Sequence, residues 1–179
     1  MEKNWSSCFP QSFYVNESLL HKIPNIEDFE KFVFLANKYR NIFRNNFVYS
    51  APLSYDESYS FLVNLHKDNS RIWYAISYKE EWIGHFGVRH LGNKNILLDN
   101  AIRFSSNGGK TLFKDINHAL IERIRNNLYD YNILIIIKKS NTLSLKLHEE
   151  MDFKDCSKAY YEDLSIESCD FSVMILENK

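Results

Sequence analysis

The chain is poor in the residues that cross-link, coordinate metal or bend a backbone. It contains three cysteines, three prolines and five glycines among 179 residues. Cys8, Cys156 and Cys169 are an odd number of thiols, and they lack the paired spacing of a zinc or iron site. The cysteines therefore predict free thiols in a reducing compartment, with no disulfide framework and no bound metal.

A long apolar run and a dominant charge are also missing. No stretch approaches the roughly 20 apolar residues that cross a bilayer, and the first residues lead into no signal-like segment. There are 22 basic and 23 acidic residues, so the formal net charge of −1 gives no general attraction to nucleic acid or an anionic membrane. We therefore expect a cytoplasmic protein with neither of these partners.

Periodicity divides the chain into an extension and one domain. Residues 1–11 carry no pattern and are interpreted as an N-terminal extension, and residues 12–179 as a single domain. Ser12–Leu20 is a candidate first strand. A first helix is predicted to open at Asn25, because apolar residues recur at helical spacing just beyond it.

A capping signature opens the second predicted helix. Ser54 is followed three residues later by Glu57, the spacing at which two such side chains cap each other's backbone N–H groups. The apolar stripe then continues to about Lys67. We predict a helix over this segment.

Beyond Arg71 the apolar period changes from helical spacing to two. Residues 71–104 predict three antiparallel strands with turns at residues 79–81 and 93–95. Later segments predict a helix with apolar positions from Leu112 to Ile124, a buried strand Ile133–Ile137, a helix capped by Ser140 or Asn141, and tail strands Tyr160–Leu164 and Phe171–Leu176.

A glycine-rich loop, Ser105–Gly109, lies between the third of these strands and a helix predicted to begin near Lys110. Free N–H groups in the first turn of such a helix bind anions. Gly109–Thr111 matches the end of a nucleotide P-loop, but that motif requires glycine where Phe104 stands, so an ATPase is rejected. The glycine pair stays open to two interpretations, a plain turn or a phosphate-binding loop.

The segment Asn141–Phe153 resembles a late signature of the GNAT N-acetyltransferases, N-x-x-S/A-x-x-L-Y-x-x-x-G-F. Asn141, Ser144, Leu147 and Phe153 occupy its spacing, and the helix opened by the glycine-rich loop is similar to the family's pyrophosphate-binding segment. The order of elements over about residues 12–179 also agrees. The resemblance implies an α+β fold in which helices flank a mixed, mostly antiparallel central sheet. It also implies acetyl-CoA-dependent acetylation of a primary amine, without a metal.

Three positions depart from the family pattern. The loop lacks the usual Q/R-x-x-G-x-G/A form, and Asp152 replaces a glycine, which Asp tolerates because it adopts the left-handed conformation. His148 stands where the family commonly has a tyrosine that protonates the departing thiolate. Histidine can also donate a proton, so the resemblance makes His148 a candidate acid; the alternative is that it only packs against a pocket wall.

The resemblance also assigns the remaining site residues. The family's third meander strand splays away from the buried strand, and backbone groups there line the pantetheine arm. His85 and Asp99 are candidate bases, and each is open to a structural interpretation. The predicted cofactor-binding residues are Ala101, Ile102, Arg103, Asn107, Gly108, Gly109, Lys110, Thr111, Asn141 and Ser144.

One branch of the family is a closer match, the N-acetyltransferases of nucleotide-linked 4-amino sugars in pseudaminic acid synthesis. The similarity lies in residues 39–41, 49–50, 78–84 and 107–109. It implies an amine acceptor held by Arg40, Arg44, Phe47 and Tyr49, although an exposed helix end explains the same residues. The alternatives are acetylation of ribosomal-protein N-termini and a non-catalytic acyl-CoA sensor, and the chain is expected to be a monomer or a homodimer.

Overall fold

The computed structural model describes residues 5–156, 164, 166 and 170–177. Its strands form one sheet in the order β1-β2-β3-β4-β5-β6-β8-β7, in which only β5 and β6 run parallel among the described strands. The strands are β1 Ser12–Val15, β2 Ser18–Lys22, β3 Arg71–Tyr78, β4 Glu81–Gly92, β5 Asn95–Arg103, β6 Asn132–Lys138, β7 Lys154–Asp155 and β8 Phe171–Leu176. The helices are α1 Phe29–Ile42, α2 Tyr55–Val63, α3 Leu112–Asn127 and α4 Thr142–Glu149. The predicted α+β class with a mostly antiparallel sheet is confirmed.

The sheet is covered on both faces. Alternate residues of β3 point to opposite sides: Tyr74 joins a core cluster with α3, whereas Trp73 joins one with α1 and α2. Phe32 of α1 and Ile116 of α3 are fully buried in these two clusters. In the part of the chain that the structure describes, no helix is long and apolar enough to cross a membrane.

The parallel pair β5–β6 is paired along only half of its length. Its register runs from Asn95 opposite Asn132 to Leu98 opposite Ile135 and stops there. Residues 99–103 of β5 and 136–138 of β6 do not pair with each other, so the two strands diverge toward their carboxyl ends. The result is a cleft that opens between two halves of one sheet.

A β-bulge lies at the point where this cleft opens. Asp99 is opposite Gly87 and Ile102 is opposite His85, so Asn100 and Ala101 together face the single residue Phe86. Asn100 has a φ of 49°, the left-handed conformation that Asn adopts more readily than most residues. A bulge bends its strand, and this one lies just beyond Leu98, the last residue of β5 that pairs with β6.

The helix starts differ from the sequence prediction in two places. α1 begins at Phe29 with Asp28 as its N-cap, not at Asn25, because the preceding segment is tied to the sheet: the N–H of Ile23 donates to the carbonyl of Trp73 at 2.9 Å. α3 begins at Leu112, two residues later than predicted. The predicted capping box of Ser54 and Glu57 is confirmed, although α2 ends at Val63 and a separate 3-10 turn covers residues 65–67.

The first and last strands were predicted less well than the middle of the sheet. Ser12–Leu20 is a hairpin, not one strand, because Asn16 turns the chain at a φ of 53°. Phe171–Leu176 is a strand as predicted. The predicted strand Tyr160–Leu164 lies outside the described residues except for Leu164.

Candidate active site

A cavity of about 540 Å³ occupies the cleft between the diverging strands. Its walls are residues 97–103 of β5, residues 135–138 of β6, the amino-terminal half and His148 of α4, and a segment that follows α1. The bulge residues Asn100 and Ala101 are among them. Backbone groups of β5 that would otherwise bond to a neighbouring strand therefore face a space that an extended ligand can enter.

His148 is a buried imidazole in the wall of this cavity. Its side chain is 8 % exposed, and its Nδ1 lies 2.8 Å from the Ser144 carbonyl oxygen, one helical turn earlier. The edge of the Phe153 ring packs against it, with ring centroids 5.4 Å apart. Burial lowers the pKa of His148 below its ordinary value, so the ring is neutral at neutral pH. Because Nδ1–H donates to Ser144, Nε2 keeps its lone pair.

Asn141 and Ser144 position this helix. The Asn141 side chain accepts a hydrogen bond from the Ser144 N–H at 3.2 Å and caps α4. Both residues also line the cavity. Asn141 and Ser144 of the family-like signature therefore determine where α4 begins. The start of α4 in turn determines which of its residues, His148 among them, face the cavity.

Asp99 is a half-buried carboxyl group in the cavity wall, immediately before the bulge. Desolvation raises the pKa of Asp99, while hydrogen bonds from Asn100 and the charges of Arg71 and Arg89 act in the opposite direction. A carboxylate with a raised pKa is a better proton acceptor than an exposed one.

His85 lies outside this cavity. It lines a second cavity of about 210 Å³ beneath α1 and α2, stacks on Trp73 with centroids 4.9 Å apart, and is 2 % exposed. Its Nδ1 has no hydrogen-bond partner in the described structure. Burial lowers the pKa of His85 to about 3, so this ring does not accept a proton near neutral pH. The structure supports the structural interpretation of His85 over the role of a base.

The glycine-rich loop lies at the end of β5, beyond the cavity wall. Gly108 and Gly109 have φ values of 82° and 90°, which glycine adopts without strain. A Cβ on Gly108 would come within 2.8 Å of Leu112, whereas a Cβ on Gly109 would meet nothing within 4 Å. α3 follows directly, and its N-cap Thr111 makes no side-chain capping bond. Its first-turn N–H groups are thus left for another acceptor.

The other residues predicted to bind the cofactor lie either in the cavity wall or in the glycine-rich loop. Ala101, Ile102 and Arg103 line the cavity. Asn107 and Lys110 lie in the exposed loop, where the Asn107 side chain donates to the Glu81 carboxylate at 3.1 Å. The strand residues therefore line the cleft, whereas the loop residues follow the end of β5 and line neither cavity.

The segment Phe43–Tyr49, here called the bridging segment, forms the opposite wall of the cavity. Arg40 of α1 holds it: the Arg40 guanidinium stacks on Phe47 at 4.6 Å and donates to the Tyr49 carbonyl. Of the four residues predicted to bind the acceptor, three line the cavity: Arg40, Phe47 and Tyr49. The fourth, Arg44, is exposed and lines neither cavity. Lys138 at the end of β6 donates to the Asn45 carbonyl at 2.7 Å and ties the segment across the cleft.

Sequence reasoning missed three residues of the site. Arg89 and Lys138 add cationic side chains to the cavity wall, and Asn100 forms the bulge. With Arg40, these give three cationic residues and one acidic residue, Asp99, in the cavity wall; Arg103 also lines the cavity, but its guanidinium bonds to carbonyls of the glycine-rich loop. No local sequence pattern predicts Arg89 or Lys138 as site residues. Arg89 lies in β4 and Lys138 in β6, and only the folded structure brings both to the same cavity.

The described residues contain no group of three or more His, Cys, Asp or Glu side chains able to hold a metal ion. No protein-family model and no curated protein sequence matches the chain. Solved structures do match over almost the whole chain. The chain has the GNAT N-acetyltransferase fold.

The microcin C7 self-immunity acetyltransferase MccE, solved with acetyl-CoA and AMP, is 20 % identical at a TM-score of 0.73, covering 96 % of this chain and 98 % of its own. Campylobacter jejuni N-acetyltransferase PseH, solved with acetyl coenzyme A, is 18 % identical at a TM-score of 0.64, covering 90 % and 99 %. FdhC, a nucleotide-linked sugar GNAT, is 12 % identical at a TM-score of 0.67, covering 93 % and 89 %. A ribosomal-protein acetyltransferase has a similar fold. At these identities the similarity establishes the fold alone.

Proposed function

We propose that the protein is an N-acetyltransferase that moves an acetyl group from acetyl-CoA to a primary amine. One observation carries the proposal: a single cavity joins the unpaired edge of β5, the bulge at Asn100 and the buried imidazole of His148. The unpaired strand edge suits the amide groups of a pantetheine arm, which can bond to it as another strand would. We assign the pyrophosphate of coenzyme A to the glycine-rich loop and the start of α3, because N–H groups in the first turn of a helix bind anions.

The chemistry requires a net transfer of one proton from nitrogen to sulfur. The amine lone pair attacks the thioester carbon, the C–N bond forms, and the carbonyl π electrons move to oxygen. When the carbonyl re-forms, the C–S bond breaks and its electron pair stays on sulfur. The neutral Nε2 of His148 accepts the proton from nitrogen and delivers it to the thiolate, so the ring ends as it began.

Asp99 is proposed to prepare the amine for attack. Most amines arrive as ammonium ions, which have no lone pair to donate. The Asp99 carboxylate, whose pKa is raised by burial, accepts the first proton and releases it to water. Asp99 and His148 line the same cavity, which allows one substrate to meet both groups in turn.

The proposed acceptor is an amine on a nucleotide-linked sugar. The cavity wall includes Arg89, and also Arg40 and Lys138, which contact the bridging segment; cationic side chains of this kind bind phosphate oxygens. Phe47 and Tyr49 add aromatic surface for a base or sugar ring. A cationic peptide N-terminus would meet like charge there, so the wall favours the anionic acceptor.

Two measurements test the activity and the acceptor separately. Acetyl-CoA at 100 times its Kd should stabilise the fold by about 2.7 kcal/mol and raise the melting temperature, whereas ATP should not. Release of free coenzyme A thiol is then followed with uridine-diphosphate-linked amino sugars and with peptides that carry ribosomal-protein N-termini. Turnover of a peptide alone would replace the sugar acceptor, and binding of acetyl-CoA without turnover of any amine would indicate a sensor.

A further inference from the structure

The Arg103 side chain makes an unusual set of contacts at the end of β5. Its Nε donates to the Ser105 carbonyl at 2.6 Å, and its Nη2 lies 2.6 Å from the carbonyl oxygen of Ser106, 3.0 Å from that of Asn107 and 2.7 Å from that of Gly109. Four carbonyl groups of one loop therefore converge on a single guanidinium. Only arginine presents several N–H donors in a fixed fork of this kind.

These contacts determine where the loop's N–H groups point. In a trans peptide unit the C=O and N–H bonds point in opposite directions. Because the carbonyls of residues 105, 106, 107 and 109 face Arg103, the N–H groups of residues 106, 107, 108 and 110 turn away from it. The Asn107 N–H donates a hydrogen bond to the Ser105 hydroxyl oxygen at 3.1 Å. The N–H groups of Gly108 and Lys110 donate to no backbone carbonyl of the described residues.

Little else in the described structure holds the loop in this shape. It belongs to no helix or strand, and apart from the Arg103 and Ser105 contacts its side-chain tie is the bond from Asn107 to Glu81. Nor does any carboxylate of the described residues form an ion pair with Arg103. The guanidinium charge therefore remains uncompensated behind a loop whose free N–H groups face outward, and both features favour an anion.

We propose that Arg103 is a positioning residue that makes the protein selective for the pyrophosphate end of coenzyme A. The inference rests on the proposed function. Arg103 acts through the loop: it holds the carbonyls inward, and the outward N–H groups, with the first turn of α3, bind the phosphate oxygens. The pantetheine arm, which lies along β5, should not depend on this arrangement.

The experiment compares two ligands that share the pantetheine arm, coenzyme A and pantetheine, by calorimetric titration of the full chain. In Arg103→Met the Kd of coenzyme A should rise at least about tenfold, while the Kd of pantetheine changes less than twofold. Arg103→Lys keeps the charge but loses the fork, and it should recover only part of the affinity. Arg125→Met, which removes an exposed arginine from α3, is the matched control and should change neither Kd.

Each contrary result has a separate meaning. If the unmodified protein binds coenzyme A no better than pantetheine, the loop is no phosphate site, and both this inference and that part of the proposed function fail. If the unmodified protein prefers coenzyme A but Arg103→Met weakens both ligands equally, or neither, only the role of Arg103 is overturned. The melting temperature without ligand is measured for each variant, and Arg103→Lys supplies the comparison if Arg103→Met does not fold.

Discussion

The two parts of the proposed site use different kinds of group. For coenzyme A, the proposed phosphate-binding groups are backbone N–H groups in a short continuous stretch, residues 103–112. For the acceptor, the proposed binding groups are side chains from four separate elements: α1, the bridging segment, β4 and β6. Contacts between residues far apart in sequence bring these elements together, such as that of Lys138 with Asn45, 93 positions earlier. We call these the donor end and the acceptor end. Backbone groups need only the right φ and ψ angles, so local sequence specifies the donor end, whereas the acceptor end depends on how distant elements pack.

The largest effect is expected at His148, which lines the cavity. His148→Phe removes the proposed proton carrier and should lower kcat by about 10²-fold, because general acid–base catalysis contributes 10²–10⁴-fold. The Kd of acetyl-CoA and the KM of the acceptor should hardly change. Since burial lowers the pKa of His148, the activity of the unmodified protein should fall as pH decreases through that lowered pKa. An unchanged kcat in the variant would return His148 to a packing role.

The donor end should respond to a change that leaves every side-chain contact in place. Gly109→Val adds a Cβ in open space but strains a φ of 90°, so the loop should leave its binding conformation: the Kd of coenzyme A should rise about tenfold, and the melting temperature should fall less than in Gly108→Val. Gly108→Val should lower both affinity and melting temperature, because its Cβ would contact Leu112 and Ile83. Equal coenzyme A affinity in a folded Gly109→Val protein would mean that the loop is only a turn.

The acceptor end should respond to the loss of one long-range contact. Lys138→Met frees the Asn45 carbonyl and loosens the bridging segment, so KM for the nucleotide-linked sugar should rise several-fold while the Kd of coenzyme A stays constant. The neighbouring Lys139 is exposed and lines neither cavity, which makes Lys139→Met the matched control. If both variants raise KM equally, net charge and not the contact is responsible.

The smallest effect on activity is expected at His85, beside the acceptor end. The folded-state pKa of His85 is about 3, well below the ordinary value of 6.5, so the unfolded chain binds more protons between these limits. The free energy of unfolding should therefore fall as pH decreases from 6.5 toward 3, by up to about 1.4 kcal/mol per pH unit. Denaturant titrations of His85→Phe should show a flatter pH profile, while a variant of the exposed His118, His118→Phe, should keep the original slope.

Most of the sheet could be predicted because its signals are local. The capping box at Ser54, the turns near residues 79 and 93, and the β-branched strand at 133–137 each depend on neighbours within a few residues, and all three are present. The start of α1 could not be predicted, because the N–H of Ile23 bonds to a strand 50 residues away. The hairpin at Asn16 was missed, since a short polar pair inside an apolar run carries a weak signal.

The candidate site divides along the same line. The sequence by itself determined the α+β class, through the order of its helical and strand patterns. It also determined the glycine-rich loop and the place of His148 after the Asn141 cap, because each of these two signals lies within about a dozen residues. Only the tertiary structure decided that Arg44 is exposed, that His85 is sealed in a second cavity and that Lys138 reaches the bridging segment. The tertiary structure also decided that the Arg103 guanidinium contacts four carbonyl groups of the glycine-rich loop. Burial and the direction of a side chain depend on every element packed around it, and no single segment contains that information.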